Sequence, residues 1–157
     1  MIKVSNLSDY AGVIINLLLN EQGARLSASE LASRTNMGQA TVSKVLKLLH
    51  DARLVESERG VNGGYRVTLP ASSITLADVI QAIEGLPGLT ACTQSEKGCQ
   101  YAASCDMSGN WQSINLAMLG FLGAINFEHM RRSLSVQDVK QAVTSHWFAD
   151  GIVNVEG

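Results

Sequence analysis

The amino-acid sequence predicts a mainly α-helical protein with one small β-hairpin and a long C-terminal helix. Three observations support this fold class. Apolar residues recur every three or four positions in several segments, Ser/Thr capping boxes open two of the predicted helices, and two alternating segments flank a glycine-rich turn. Only two prolines and 5% aromatic residues accompany 46% hydrophobic residues, a composition that fits helices better than a β-sandwich.

The first two helices are predicted from an apolar stripe and a capping box. The first helix follows Ser8 and ends before Gly23. Its apolar stripe consists of Tyr10, Val13, Ile14, Leu17 and Leu18. Ser27 and Glu30 can bond each other's backbone amides, so they open a second helix that runs to about Thr35.

A third helix is predicted from about Gln39 to Ala52, after a break at residues 36–38. Its buried stripe consists of Val42, Val45, Leu46 and Leu49. The opposite face carries Ala40, Ser43, Lys44, Lys47 and Asp51. Two short helices joined by a tight turn, the second with basic groups outward, are typical of a helix-turn-helix. An ordinary solvated helix face would have the same composition.

A β-hairpin is predicted directly after the third helix. Its strands are residues 54–58 and 65–69, and residues 59–64 form the glycine-rich turn between them. A hairpin in this position is a wing, so the sequence predicts a winged helix-turn-helix domain. An ordinary tight turn with a solvated Arg59 is the alternative.

The predicted DNA contacts lie on the third helix and on the wing. The helix would enter the major groove, where side chains reach base edges and phosphates. Glycines in the turn would let the backbone approach DNA closely, and the arginine at its tip suits phosphates or a narrow minor groove. The predicted contact residues are Gln39, Ser43, Lys44, Lys47, Arg59 and Gly63.

The charge distribution supports this placement. The whole chain carries a formal net charge of −2, which argues against indiscriminate binding of polyanions. Residues 25–66 contain seven basic and four acidic residues, whereas the remainder contains five basic and ten acidic residues. Positive charge is therefore concentrated in the segment predicted to contact DNA.

Two further helices are predicted after the wing. Thr75 and Asp78 form a second capping box, and the helix that it opens ends near Gly85. A long helix begins near Asn110, with an apolar stripe of Trp111, Ile114, Met118, Phe121 and Ile125. A stripe of this size outside a compact winged domain is expected to pack against the same helix of a second subunit. Packing against its own domain is the alternative.

These elements divide the chain into a winged helix-turn-helix domain, a cysteine loop, a dimerisation helix and a tail with a short helix. The predicted bounds are 1–86, 87–109, 110–134 and 135–157. Gly120 and Gly123 permit a close approach of another helix. No apolar run approaches the roughly 20 residues that span a bilayer, and no secretory leader is visible, so a cytoplasmic protein with reduced thiols is expected.

All three cysteines lie in one loop that is poor in large aliphatic residues. Six residues separate Cys92 from Cys99, and five separate Cys99 from Cys105. Three thiols cannot all pair within one chain, so a disulfide framework is disfavoured, and the gaps are too wide for the tight knuckles of structural zinc sites. A larger iron–sulfur cluster could be wrapped by such a loop. A zinc site and a thiol-only redox sensor are the alternatives.

The order of these features resembles the Rrf2 family of bacterial transcription regulators. The matching features are residues 7–11, the wing turn at 59–65, the capping-box helix at 74–80 and three cysteines before a long helix. Within the family, the chain is most similar to regulators of the SUF cluster-assembly operon, through residues 7–11 and 109–111. The resemblance covers roughly residues 1–134 and implies a homodimer that binds an operator in double-stranded DNA.

The resemblance also implies a cofactor and a function. In such regulators an iron–sulfur cluster on the loop cysteines alters DNA binding, so the chain is expected to be a cluster-dependent repressor of SUF-type assembly genes and not an enzyme. Cys92, Cys99 and Cys105 would be the thiolate ligands, with 2Fe–2S preferred to 4Fe–4S. Family loops keep two equal gaps of five residues, whereas the first gap here has six.

The fourth ligand differs between branches of the family. In the IscR-like branch it is a histidine three positions after the last cysteine, and Ser108 occupies that position here. In the NsrR-like branch it is an aspartate from the first helix of the partner subunit, and Asp9 matches that residue. The resemblance therefore favours Asp9, with Asp106 and His129 as the other candidates.

Two alternative functions are considered. A nitric-oxide- or redox-sensing repressor differs from the main hypothesis in its target genes and in no identifiable residue. A cluster-carrying redox protein that does not bind DNA is disfavoured, because the chain has no Cys-x-x-Cys pair and no nucleotide-phosphate loop. Neither a membrane nor a small-molecule substrate is expected as a partner.

Overall fold

The computed structural model describes residues 3–60, 62–85, 88–93, 99 and 105–149. Its helices are α1 (Asn6–Asn20), α2 (Ala28–Thr35), α3 (Gln39–Asp51), α4 (Leu76–Glu84), α5 (Ser108–Ala124), α6 (Phe127–Met130) and α7 (Val136–Ala149). An antiparallel hairpin, β1 (Glu56–Glu58) and β2 (Gly64–Arg66), follows α3, and a 3₁₀ turn (Ala71–Ser73) precedes α4. The predicted fold class is confirmed. No described helix is both long and apolar enough to cross a bilayer.

Helix α1 starts earlier than predicted and buries a different face. The side chain of Ser5 caps it by accepting the backbone N–H of Ser8. The buried residues of the helix are Ser8, Ala11, Ile14, Ile15 and Leu18. Val13, predicted to point inward, is 42% exposed. The buried stripe is rotated from the predicted one because α3 and α4 both pack against α1 and determine which face is covered.

Helices α2 and α3 form the predicted helix-turn-helix. The capping box of Ser27 and Glu30 is present, and Asn36 ends α2 in the left-handed conformation with φ of 55°, which asparagine tolerates well. The predicted α3 stripe is fully buried and consists of Val42, Val45, Leu46 and Leu49. Because α1, α2 and α4 pack around this stripe, the opposite face of α3 is turned outward.

The wing has shorter strands than predicted. Glu56–Glu58 pairs with Gly64–Arg66 over three residues each, rather than over five. The flanking residues Leu54, Val55 and Val67 are buried in the helical core and lie outside the paired ladder. Packing on the helices therefore takes the place of strand pairing at the base of the hairpin.

The wing is attached to the segment before α2. Leu26 and Tyr65 exchange backbone hydrogen bonds of 3.0 and 2.8 Å. Gly64 has φ of +149°, and a Cβ there would lie 2.7 Å from the carbonyl oxygen of Leu26. Glycine is therefore required where the two backbones approach.

The chain returns to the winged domain after α5. Phe127 donates its backbone N–H to the carbonyl of Ile74 at 2.9 Å, and Leu76 donates to the carbonyl of Ile125 at 2.8 Å. Ile125 and Phe127 are 3% and 2% exposed. The long helix ends at Ala124 and does not continue to residue 134, because these bonds turn the backbone onto the domain. Ile125 belongs to the domain core and not to an exposed stripe, contrary to the prediction.

Helix α7 packs against α5. A Cβ on Gly120 would lie 2.9 Å from Nε1 of Trp147, and one on Gly123 would lie 3.5 Å from Nε2 of His146. The two glycines therefore admit a closely packed helix, as predicted, and that helix is α7 of the same chain. The predicted short helix of the tail is 14 residues long.

A carboxylate on α4 accepts hydrogen bonds from residues at the start of α1. Glu84 Oε1 accepts the backbone N–H of Ser5 at 3.1 Å and the hydroxyl of Ser8. The Ser8 side chain is only 4% exposed, so its hydroxyl needs this partner. Hydrogen bonds from Ser8 above all, and from Ser5, lower the pKa of Glu84.

We expect Glu84→Gln to lower the stability of the protein at neutral pH but not in acid. A carboxylate with a lowered pKa stabilises the fold above its unfolded pKa of about 4.3, and the contribution is lost as the pH falls through the folded value. The difference in unfolding free energy between wild type and Glu84→Gln, measured with urea, should be largest at pH 7 and shrink below about pH 4.3. Glu128→Gln, an exposed control, should show no such pattern. A difference that does not vary with pH would contradict this expectation.

Candidate DNA-binding surface and cysteine site

The predicted contact residues of α3 share one exposed face of the helix. They are Gln39, Ser43, Lys44 and Lys47, all exposed on the side away from the buried stripe. The helix has 13 residues, so it is about 20 Å long, a length that fits a major groove. Gly38 is its cap and supplies no side-chain hydrogen bond, so the first amides of α3 can meet a phosphate oxygen.

The basic residues near this face divide into paired and unpaired groups. Arg25 forms an ion pair with Glu58, and Arg66 forms one with Glu56 at 3.2 Å. The exposed basic residues of this region that pair with no described carboxylate include Lys44, Lys47 and Arg59. The positive charge of these three side chains is available to phosphates. Arg25 and Arg66, in contrast, are already paired with carboxylates of the wing.

The wing turn is tight at Gly63. Its N–H donates to the carbonyl of Gly60 at 3.0 Å. A Cβ on Gly63 would lie 2.3 Å from the carbonyl oxygen of Glu58, so any side chain would collide with the backbone. The structure gives Gly63 a steric role in shaping the turn that carries Arg59, and its direct contact with DNA stays a prediction.

The three cysteines are free thiols in this structure. Cys92 and Cys99 are half-buried, and Cys105 is exposed. Among the residues that the structure describes, no three His, Cys, Asp or Glu side chains lie together as a metal site. Binding of a metal contributes to the free energy that orders the segment holding it. The donor set, three soft sulfur atoms within one short segment, fits an iron–sulfur cluster.

Cys92 lies in a hydrogen-bonded turn next to α5. The hydroxyl of Thr93 donates to the carbonyl of Thr90 at 2.9 Å and accepts its N–H at 3.1 Å. The hydroxyl of Thr90 lies 3.0 Å from Sγ of Cys92. One residue earlier, the N–H of Leu89 donates to Oδ1 of Asn115 at 3.1 Å. Sequence reasoning missed Asn115, because Asn110 and Gln112 are further amides on the same helix and nothing in the local pattern distinguishes Asn115 from them.

The candidate fourth ligands lie on separate elements. Asp9 is exposed in the first turn of α1, and Asp106 is exposed in the turn before α5. Nδ1 of His129 accepts the backbone N–H of Asn126 at 3.3 Å, which caps α6. The other nitrogen of a neutral His129 ring then carries the proton. His129 is therefore less suited to bind a metal than the two carboxylates.

A family model and several curated relatives match most of this chain. The family model of Rrf2, described as an iron-dependent transcriptional regulator, matches residues 4–133. A Neisseria meningitidis chain classed among HTH-type transcriptional regulators is 30% identical over 115 residues, which are 73% of this chain and 77% of that one. IscR of Photorhabdus laumondii is 28% identical over 126 residues, 80% of this chain and 76% of the relative.

Solved structures share the fold. CymR, the global cysteine regulator of B. subtilis, matches with a TM-score of 0.62 and 25% identity over 83% of this chain and 97% of CymR. IscR of T. potens matches with a TM-score of 0.60 and 19% identity over 87% of this chain and 96% of that structure. The family and the curated relatives are described as transcriptional regulators, which confirms the prediction that the chain is not an enzyme. Because the family match spans most of its length, this chain belongs to the Rrf2 family of DNA-binding transcriptional regulators.

Proposed function

We propose that this chain is a homodimeric repressor that binds operator DNA and responds to an iron–sulfur cluster, with SUF-type assembly genes as its targets. One observation supports DNA recognition most directly. On the outer face of α3, Lys44 and Lys47 are exposed and have no carboxylate partner among the described residues. The relatives named IscR, and a family described as iron-dependent, support the cluster. Those relatives are bacterial, so the proposed site of action is the cytoplasm, where bacterial DNA lies.

In this proposal α3 lies in the major groove. Gln39 and Ser43 would read base edges, since an amide and a hydroxyl both donate and accept hydrogen bonds. Lys44 and Lys47 would contact phosphates and fix the position of the helix. The tight turn at the tip of the wing would hold Arg59 outward. There its side chain would contact the DNA backbone or the adjacent minor groove.

We expect Lys44→Ala and Arg59→Ala each to weaken binding to a duplex that the wild-type protein selects from sheared genomic DNA. Each lost phosphate contact should lower the slope of log affinity against log salt concentration by about one. Fluorescence anisotropy across a salt series measures both quantities. Lys140→Ala, an exposed lysine of α7, is the matched control and should change neither. An unchanged slope in both variants would place the DNA elsewhere.

The cysteine loop would hold the cluster. Cys92, Cys99 and Cys105 would bind it through thiolates, and Asp9 of the partner subunit would supply an oxygen donor. When bound, an iron–sulfur cluster supplies a redox-active centre whose iron also reacts with nitric oxide. A carboxylate oxygen binds iron less firmly than a thiolate sulfur does. The aspartate would therefore dissociate from the iron before the cysteines do. That weakness would suit a sensor.

Anaerobic reconstitution with iron and sulfide should colour the wild-type protein by sulfur-to-iron charge transfer. We expect Cys92→Ala, Cys99→Ala and Cys105→Ala each to remove the colour and the bound sulfide, because each loses a thiolate ligand. Asp9→Ala should bind the cluster and lose it faster, whereas the same change at Asp106 should have no effect. Absorbance with iron and sulfide analysis measures this. Wild-type protein that stays colourless and binds zinc would contradict the proposed cluster. DNA affinity that is unchanged by reconstitution would contradict the proposed sensing.

The dimer would form through the exposed stripe of α5. Trp111, Ile114 and Phe121 are 37%, 50% and 42% exposed, and they recur at steps of three and seven along the helix. Helix α7 packs against the glycine-containing side of α5. Large apolar side chains exposed in a row favour association. A twofold dimer would place two α3 helices at successive turns of the DNA.

We expect Ile114→Asp to convert a dimer into a monomer, since a charge in the centre of an apolar interface loses its hydration. Operator binding should fall with it, because the two half-sites are then bound independently. Sedimentation equilibrium measures the mass. Val136→Asp introduces the same charge on α7, at a side chain that is 74% exposed, and should remain dimeric. A monomeric wild-type protein would contradict the proposed interface.

A further inference from the structure

Asn115 is an unusual residue on α5. The helix contains no charged side chain, and Asn115 is only 7% exposed. A buried amide is stable only when it is hydrogen-bonded. Its Oδ1 accepts the backbone N–H of Leu89 at 3.1 Å, from a residue 26 positions earlier. A buried polar group is thus directed at the start of the cysteine loop.

The bond to Leu89 leads directly to the first cysteine. The next residue, Thr90, closes a compact turn with Thr93 through bonds of 2.9 to 3.1 Å. Cys92 lies inside this turn, with its Sγ 3.0 Å from the Thr90 hydroxyl. One hydrogen-bonded turn of backbone therefore connects the Cys92 sulfur with the Leu89 amide.

The last cysteine is attached to the same helix. The carbonyl of Cys105 accepts the N–H of Ser108, the first residue of α5, at 3.2 Å. Asn115 lies seven positions after Ser108, a rise of about 10 Å along the helix. Both ends of the cysteine loop are thus fastened within the first two turns of α5.

Asn115 also lies next to the exposed stripe of the helix. Trp111 is four residues before it and Met118 three residues after it, the spacings at which side chains on a helix are neighbours. A shift of α5 transmitted at Asn115 therefore also moves the stripe proposed to contact a second subunit.

We infer that Asn115 is a positioning residue that couples the cysteine site to α5, through its hydrogen bond to the Leu89 amide. The inference rests on the proposed function, because it assigns the path by which metal loading on the cysteines reaches the dimer stripe. Ordering of the Cys92 turn around a bound metal pulls on Leu89, and the buried amide passes that change to the helix. Without this bond, the loop binds its metal but α5 does not respond.

The experiment compares Asn115→Leu, which removes the acceptor at similar volume, with Asn115→Asp, which keeps it. Asn110→Leu is the control, an exposed amide of the same helix. In the metal-free full-length protein, hydrogen exchange at Leu89 should be roughly three- to tenfold faster in Asn115→Leu, the effect of losing one hydrogen bond. It should stay near the wild-type rate in Asn115→Asp and Asn110→Leu. Unchanged exchange in Asn115→Leu overturns the inference.

The second readout is the ratio of DNA affinities with and without the cluster. Asn115→Leu should load iron and sulfide to the wild-type stoichiometry, and its ratio should fall towards one. Full loading with an unchanged ratio shows a purely structural role and overturns the coupling. If Asn115→Leu does not fold, Leu89→Pro removes the donor from the other side and should give the same loss of coupling. A wild-type ratio of one refutes the proposed function, while the exchange rates still test the Leu89–Asn115 bond.

Discussion

The arrangement of the whole chain depends on the short backbone bridge between the start of α4 and the end of α5. Hydrogen bonds join Phe127 to Ile74 and Leu76 to Ile125, and the Phe127 ring is buried against α1 beside Gly12. Burial of a large apolar side chain of this kind stabilises a fold by about 3 kcal/mol. The bridge therefore makes the C-terminal end of α5 part of the winged domain, so the helix has a fixed direction relative to α3.

Helix α5 contacts α4, α7 and the start of the cysteine loop. Its far end is held by the bridge, Asn115 is bonded to the cysteine loop, and Gly120 admits Trp147 of α7. Asn115 and Gly120 have partners within the chain, and the stripe through Ile114 is left for a second copy in the proposed dimer. The same helix thereby connects the proposed metal site with the proposed interface.

The candidate site could be predicted only in part. Helical periodicity alone placed Lys44 and Lys47 on the outer face of α3, because the buried stripe lies a fixed angle away. Periodicity could not show which basic residues remain free, since Arg25 meets Glu58 only after the wing folds beside the segment before α2. The three cysteines were predicted as ligands from their types and their clustering. No local pattern shows whether their sulfurs converge in the folded chain.

Local sequence determined the fold class and the bounds of α2, α3 and α4. The capping box at Ser27 involves side chains and amides three residues apart, so its physics is contained in a few positions, and the same holds for the hairpin turn. The end of α5 depends on tertiary contacts that helical periodicity does not show. Ile125 continues the helical stripe in the sequence, and only the distant carbonyl of Ile74 and a pocket for Phe127 turn the chain away. The partner of Asn115 could not be predicted either, because helical periodicity does not report a contact between residues 26 positions apart.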